Sequence, residues 1–349
     1  MPLKWSKILA PELPRSSHSI SVIDGKAYIF GGEVEPRKPV DNALNVIDLA
    51  TGEHTVIQGK GDVPEPRVGH TAVVLGGKIY VFGGRGGVAM TPLEESSCLH
   101  RFDPSDSTWT RLQPSFNAPG PVARSYHCSA ASTSHIFVHA GCPASGRLND
   151  TWAYDISSNT WTKLADAPGD PRGGASIVWF EGKLWRFGGF NGKTEVGGGI
   201  DYLDLGLPEG NEHSQDTQSQ WRTVSFGEVS GLGRDAAGSL MQSETILGPG
   251  ARSVCGIHPD PRGGALLTFF GEGKPSPTGG HDAAGNFWGD VWAFNPAASR
   301  WEEVEQGDGE RPVERGWFAS AQAAEGVVLW GGLNAKNERM GDGWVLCVG

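Results

Sequence analysis

Short segments rich in Val, Ile, Phe, Tyr and Trp, with apolar and polar positions alternating, recur along the whole chain and are bounded by Gly, Pro and Asp turns. Alternation of this kind between turn residues reads as β-strand. The segments come in ordered sets. A short alternating segment is followed by a turn, a second strand ending in Gly-Gly, a longer loop, a strand carrying an Asp and a last strand marked by Trp. The first set is SISVID, KAYIFGG, ALNVIDL and HTVIQ, and the second is TAVVLGG, KIYVFGG, LHRFDP and the strand of Trp109. The third is SAAST, HIFVHAG, WAYDI and Trp161; the fourth is SIVWFEG, LWRFGG, DYLDL and Trp221. The fifth offers ALLTFFGE, VWAFNP and Trp301, and the sixth SAQAAEG, VVLWGG and WVLCV, where the chain runs out after its third strand.

An arginine stands just before each set, at Arg15, Arg67, Arg124, Arg172, Arg252 and Arg315, and the first three are followed by His18, His70 and His127. Four strands per unit at a spacing of roughly 50 residues is the signature of kelch propeller blades. The prediction is an all-β, six-bladed kelch β-propeller with four antiparallel strands per blade, one domain over 1–349 with blades starting near 15, 67, 124, 172, 252 and 315. Glycine at the end of the second strand allows close packing of blades and a sharp exit. The missing outer strand of the sixth blade is expected from the N-terminal segment KWSKIL, where Trp5 takes the repeat position of Trp109, Trp161, Trp221 and Trp301. That closure leaves no free sheet edge.

Because strand direction alternates, the arginine-led connections between blades and the loops after Gly-Gly share one mouth of the channel. The same arginine in every blade is expected to serve architecture, bonding backbone carbonyls between blades. The three histidines lie near the entrance and are either titratable near neutral pH or hydrogen-bonded structural groups. Two stretches break the repeat: residues 206–219 read as a solvated polar insertion, and 226–248 as a long connection into the fifth blade, a candidate lid. GRGG at 84–87 and GGG at 197–199 have no helix after them and read as turns rather than phosphate loops.

Composition narrows the partners. With 29 Lys and Arg against 40 Asp and Glu, the net charge of −11 disfavours a nucleic-acid backbone or an anionic membrane, so an anionic ligand must find a local basic spot. No run is long and apolar enough to span a bilayer and the first residues lack a signal-peptide pattern, so a cytoplasmic location is expected. Cys98, Cys128, Cys142, Cys255 and Cys347 are scattered without CxxC spacing and indicate neither a disulfide framework nor a zinc site.

Several stretches go beyond the generic repeat: PRSSH with YIFGGEVEP, GDVPEPR with YVFGGR, GKLWRFGGFNG, FFGEGKPSPTGGHDAAGNFWGDVWAFN, and ERGWFASA with WGGLNAKNER. In these the chain resembles, over almost its whole length, the plant specifier proteins (nitrile-specifier, epithiospecifier and thiocyanate-forming), which redirect the breakdown of glucosinolate aglycones. The resemblance implies a specifier-like protein promoting Fe(II)-assisted rearrangement or elimination of a small, anionic, reactive metabolite, with an upstream hydrolase supplying it. It implies metal binding by Glu272 and His281, while the position of the family's Asp ligand holds Ser276, a poor ligand for a divalent metal. Arg85 and Arg147 are implied to hold the sulfate of the substrate, and Tyr126 and Trp317 to shape the pocket. Two guanidinium groups at a channel mouth suit an anion through charge-assisted hydrogen bonds. The alternatives are a related lyase, isomerase or cyclase acting on another secondary metabolite without a metal, and a kelch scaffold that binds a protein or peptide without catalysis.

Overall fold

The computed structural model describes residues 2–115, 118–206, 220–228, 247–274 and 285–349. Six antiparallel four-stranded blades follow one another around a central channel, the sheet of the second gaining a short fifth strand, Lys60–Gly61, that pairs in parallel with its outer strand. Blade 1 comprises Ser19–Ile23, Lys26–Phe30, Leu44–Asp48 and His54–Ile57. Blade 2 comprises Thr71–Leu75, Lys78–Phe82, Leu99–Asp103 and Thr108–Leu112, and blade 3 Cys128–Ala131, His135–Gly141, Leu148–Asp155 and Thr160–Lys163. Blade 4 comprises Ser176–Phe180, Lys183–Phe187, Gly199–Asp204 and Trp221–Ser225, and blade 5 Gly256–Pro259, Leu266–Phe269, Val291–Asn295 and Arg300–Glu303. Blade 6 takes Ala319–Ala323, Gly326–Trp330 and Gly343–Val348 from the C-terminal end and Leu3–Ile8 from the N-terminal end. Trp5 lies opposite Leu346 in that closing pair, so the expected closure is the observed one.

One expectation was incomplete. The first strand of blade 5, Gly256–Pro259, carries no alternating pattern and ends in proline, so pairing with Leu266–Phe269 is what makes it a strand. The polar insertion lies almost wholly outside the described residues, as does the candidate lid apart from Phe226–Glu228 and Leu247–Gly248; there, Gly227–Glu228 pairs in parallel with Leu247–Gly248.

The apolar positions of the strands face neighbouring blades rather than a common centre. Each blade-to-blade contact has its own core, as between blades 1 and 2 with Phe30, Val46, Val81 and Trp109. Four of the five repeat tryptophans sit at these contacts against the aromatic at the end of the second strand of the blade before, and Trp221 lies instead against His139. Trp109 lies 5.3 Å from Phe30, Trp161 5.5 Å from Phe82, Trp301 5.5 Å from Phe187 and Trp5 5.5 Å from Phe270. Tilted or offset aromatic contacts of this kind add to area burial by about 1 kcal/mol each.

The six arginines do hold the ring, though not in the expected way. Each guanidinium bonds inside its own blade, to the carbonyl that ends the second strand: Arg15 to Gly31, Arg67 to Gly83, Arg124 to Ala140, Arg172 to Gly188, Arg252 to Phe270 and Arg315 to Gly331. In four blades it is also forked onto a carboxylate, in the pairs Arg67–Glu95, Arg124–Asp150, Arg252–Asp290 and Arg315–Asp342. Burial pushes the Glu95 carboxyl up, but the bonds from Arg67 and His100 outweigh it and hold it at about 2. The link between blades is made by the backbone of the same residue. The arginine carbonyl accepts from the last glycine of the previous blade: Gly32 N to Arg67 O at 2.9 Å, Gly84 to Arg124 at 2.8 Å, Gly141 to Arg172 at 2.9 Å, and Gly332 to Arg15 at 2.8 Å across the closure. Gly189 to Arg252 and Gly271 to Arg315 complete the cycle. The glycine is required here, since Gly141 has φ +97° and a Cβ on it would lie 2.6 Å from Cβ of His127.

Replacing Arg252 by Met should cost about 3–5 kcal/mol, because Asp290 keeps its place beside Trp292 without a counter-charge. Arg300→Met, which breaks an exposed pair with Glu302, should stay within about 0.5 kcal/mol. Chemical denaturation of both variants checks this, and a surface-sized loss at Arg252 would contradict the role given to the repeat arginine.

Candidate functional site

Two positions of the repeat supply most of the mouth. The residue after the glycine that closes the second strand is Glu33, Arg85, Cys142, Phe190, Glu272 and Leu333 in blades 1 to 6, and each pairs with the residue following a repeat arginine, as in Val68 with Arg85 and Ser253 with Glu272. Two residues past each arginine stand Ser17, Gly69, Tyr126, Gly174, Val254 and Trp317, all left-handed with φ between 47° and 62°. Their backbones link around the channel: Gly69 N to Ser17 O at 2.9 Å, Tyr126 N to Gly69 O at 2.7 Å, Gly174 N to Tyr126 O at 2.8 Å, Val254 N to Gly174 O at 2.8 Å and Ser17 N to Trp317 O at 2.9 Å. Aromatic and β-branched residues pay strain in this region of φ, and the collar of bonds holds them there. The result is that Tyr126 and Trp317 are presented to the cavity from a rigid ring.

The structure brings Arg85, Arg147, Tyr126, Trp317 and Glu272 around one cavity of about 330 Å³, with Phe190 beside them. Ser276 and His281 lie outside the described residues. Arg85 donates from Nε to Ser125 Oγ at 2.9 Å, and its guanidinium stacks 4.9 Å from the centre of the Tyr126 ring. Among the described residues its terminal nitrogens have no hydrogen-bond partner, and the side chain lines the cavity. Arg147 reaches over from blade 3 to lie 4.8 Å from the centre of the Phe190 ring. Gly192 makes room for it: with φ +101°, a Cβ there would come 2.7 Å from Nη1 of Arg147. Two cations so placed, each on an aromatic face, can donate charge-assisted hydrogen bonds to an anion in a partly dry setting.

Tyr126 and Trp317 meet edge to face, 5.4 Å apart at 84°, and the Tyr126 ring lies over Gly69, where a Cβ would be 2.6 Å away. Trp317 Nε1 donates to Glu272 Oε2 at 3.0 Å, and Gly285 N donates to Oε1 at 3.2 Å. Glu272 is only 3% exposed, and burial raises its pKa against the opposing effect of these two bonds. A second acid stands close by. Glu195 accepts from Ser253 Oγ at 3.1 Å and is pushed up to about 7, first by burial and also by the charge of Glu272.

Glu195 was missed in the sequence, where nothing in its loop marks it. Glu33, Cys142 and Phe190 were missed although the Gly-Gly before them, or the single glycine in blade 3, is a usable signal. The histidines take the structural alternative. His70 bonds Ser19 Oγ and His127 bonds Thr71 Oγ1, each at 2.8 Å, while His18 packs beneath Gly331 as His70 does beneath Gly31. Desolvation holds His70 at about 3 and places His18 and His127 well below the ordinary value, so none titrates near neutral pH.

The family model described as the KLHDC2/KLHL20/DRC7 Kelch-repeats domain matches residues 17–224. Over 341 residues the chain is 31% identical to N-(sulfonatooxy)prop-2-enimidothioate sulfolyase of Thlaspi arvense, covering 93% of this chain and 90% of that protein. It is 29% identical over 217 residues to Kelch domain-containing protein 3 of Bos taurus, covering 55% of this chain and 54% of the relative. Among solved structures, that of YjhT shares the fold, with a TM-score of 0.67 over 96% of this chain and 95% of that one at 14% identity.

A carboxyl raised from 4.5 to about 7 stabilises the fold fully below the lower value and loses that contribution as pH climbs through the upper one. Glu195→Gln should therefore gain stability relative to the parent between about pH 4.5 and 7. Urea midpoints across that window test it, and a difference independent of pH would show that folding does not raise the Glu195 pKa.

Proposed function

This chain belongs to the kelch-repeat family, and on that premise we propose that its mouth cavity acts as a sulfolyase-like specifier site. It binds a small sulfated metabolite and promotes departure of the sulfate. The observation that carries the reading is the convergence of Arg85 and Arg147 with Tyr126, Trp317 and Glu272 in one cavity. The relationship to the sulfolyase of Thlaspi arvense supports the substrate class.

The substrate in view is an imidothioate bearing an N-sulfonatooxy group. Its N–O bond breaks and the electron pair leaves on sulfate. The C–S pair becomes the third C–N bond of a nitrile, and the sulfur departs at the oxidation level of elemental sulfur, so that atoms and charge balance. Arg85 and Arg147 hold the sulfonate oxygens, and their bonds strengthen as charge gathers on the departing sulfate. Tyr126, Trp317 and Phe190 exclude water, which raises the value of each charge–charge contact. Glu195, neutral in part at physiological pH, adds little repulsion to the incoming anion.

Glu272, His281 and, at the position of the family's Asp, Ser276 would hold an Fe(II) ion, which would supply a Lewis acid for the sulfur of the substrate. Among the described residues no three His, Cys, Asp or Glu side chains come together as a metal site. Glu272 keeps lone pairs beyond the two it uses for Trp317 and Gly285, but one carboxylate does not make a site. The chemistry above is therefore assigned to the chain's own groups, and the metal to a direct binding test. A second reading, a binding scaffold without catalysis, is favoured by the similarity to Kelch domain-containing protein 3.

The substrate can be generated in place by a thioglucosidase acting on allyl glucosinolate. Specifier activity predicts nitrile-type product, and Arg147→Met should lower its yield by about 100-fold with an unchanged melting midpoint. Isothiocyanate as the sole product would reject the activity and leave the scaffold reading. Separately, Fe(II) affinity of the purified protein should fall at least about tenfold in Glu272→Ala and in His281→Ala; no change in either removes the metal role.

A further inference from the structure

We infer that the mouth holds a second lobe, built to take a neutral, hydroxyl-rich group on the same ligand whose anionic end lies at Arg147. This rests on the reading of the first lobe as an anion site. The lobe is a cavity of about 250 Å³ on the blade 6, 1 and 2 side of the mouth, and it shares Arg85, Tyr126, Glu272 and Trp317 with the first. One ligand can therefore lie across the Tyr126–Trp317 edge and occupy both.

Its outer wall is an ion pair between two loops far apart in the chain. Arg339 Nη2 donates to Glu33 Oε1 at 3.0 Å, and each side chain is about one-tenth exposed. Glu33 Oε2 accepts from Arg37 N at 2.7 Å, so both carboxylate oxygens are anchored and the group cannot swing away. Arg339 Nε is buried without a hydrogen-bond partner among the described residues. Ser17 and Asn337 add short polar groups to the rim.

The charges facing the lobe decide what it prefers. A second anion would meet Glu33 and Glu272, and a cation would meet Arg37, Arg85 and Arg339. The Glu33–Arg339 pair is already compensated, so neither sign of charge gains much by approaching it. What remains is hydrogen-bonding capacity of both kinds: spare lone pairs on Glu33 and spare N–H groups on arginine. A hydroxyl is donor and acceptor together and can use both. The Trp317 and Tyr126 rings offer apolar surface to the carbon side of the same group. The ligand class is thus an anion bearing a polyol or glycosyl substituent.

Two probes separate the lobes: glucose 6-sulfate, which can use both, and hexyl sulfate, which can use only the first. Calorimetric titration should show glucose 6-sulfate weakened about tenfold by Glu33→Ala and by Arg339→Met, with hexyl sulfate unchanged. The Arg339 variant decides the matter should the Glu33 variant fail to fold. The proposal is overturned by folded variants that bind glucose 6-sulfate as the parent does, by equal weakening of both probes, or by a parent protein that does not bind glucose 6-sulfate. Arg147→Met tests the underlying reading independently: it should weaken both sulfates, and an effect on neither would reject the anion site whatever the Glu33 comparison shows.

Discussion

The structure depends on one backbone hydrogen bond repeated around the ring, from the last glycine of each second strand to the carbonyl of the next blade's arginine. It works only if that arginine is held still. Its guanidinium is driven into the blade, where it bonds the strand-ending carbonyl and, in blades 2, 3, 5 and 6, a carboxylate. A buried guanidinium without such partners would cost several kcal/mol, so the side chain that looks like chemistry is committed to architecture. Blade 4 shows the consequence of a missing carboxylate: burial lowers Arg172 to about 10, with the nearby Arg186 adding to the effect.

The same bond positions the site. By fixing the arginine it fixes the residue two places on, in the left-handed collar, and the glycine fixes the residue after it on the facing loop. Each blade thereby offers two side chains to the mouth at positions free of any duty to the ring. Variation is concentrated there: the collar runs Ser17, Gly69, Tyr126, Gly174, Val254 and Trp317, and the post-glycine ring runs from Glu33 to Leu333. Small residues at the mouth matter through the space they leave. Gly69 exists beneath the Tyr126 ring, and Gly192 beneath Arg147, because any Cβ would collide with it.

Much of this was legible in the sequence because a repeat states the same local rule six times. Blade number, the closing strand at Trp5 and the shared face of Arg85, Arg147, Tyr126, Trp317 and Glu272 follow from strand periodicity, direction and resemblance. What escaped was set by tertiary contact. Gly256–Pro259 becomes a strand only because Leu266–Phe269 lies beside it. For His18, His70 and His127 the sequence left titration and a structural role both open, and burial under the glycines of a neighbouring blade decides for the structural role. Glu195 owes its raised pKa first to burial and then to Glu272, a residue 77 positions away in the chain, and no local motif encodes either.

The central claim is that the ring delivers Arg85 and Arg147 to one anion. Side-chain 15N–1H spectra of the arginines during titration with inorganic sulfate test it most directly. The account predicts that the Nε resonances of Arg85 and Arg147 shift together along a single binding curve while those of Arg67, Arg124, Arg252 and Arg315 stay fixed. Separate midpoints for Arg85 and Arg147, or shifts confined to the repeat arginines, would contradict it.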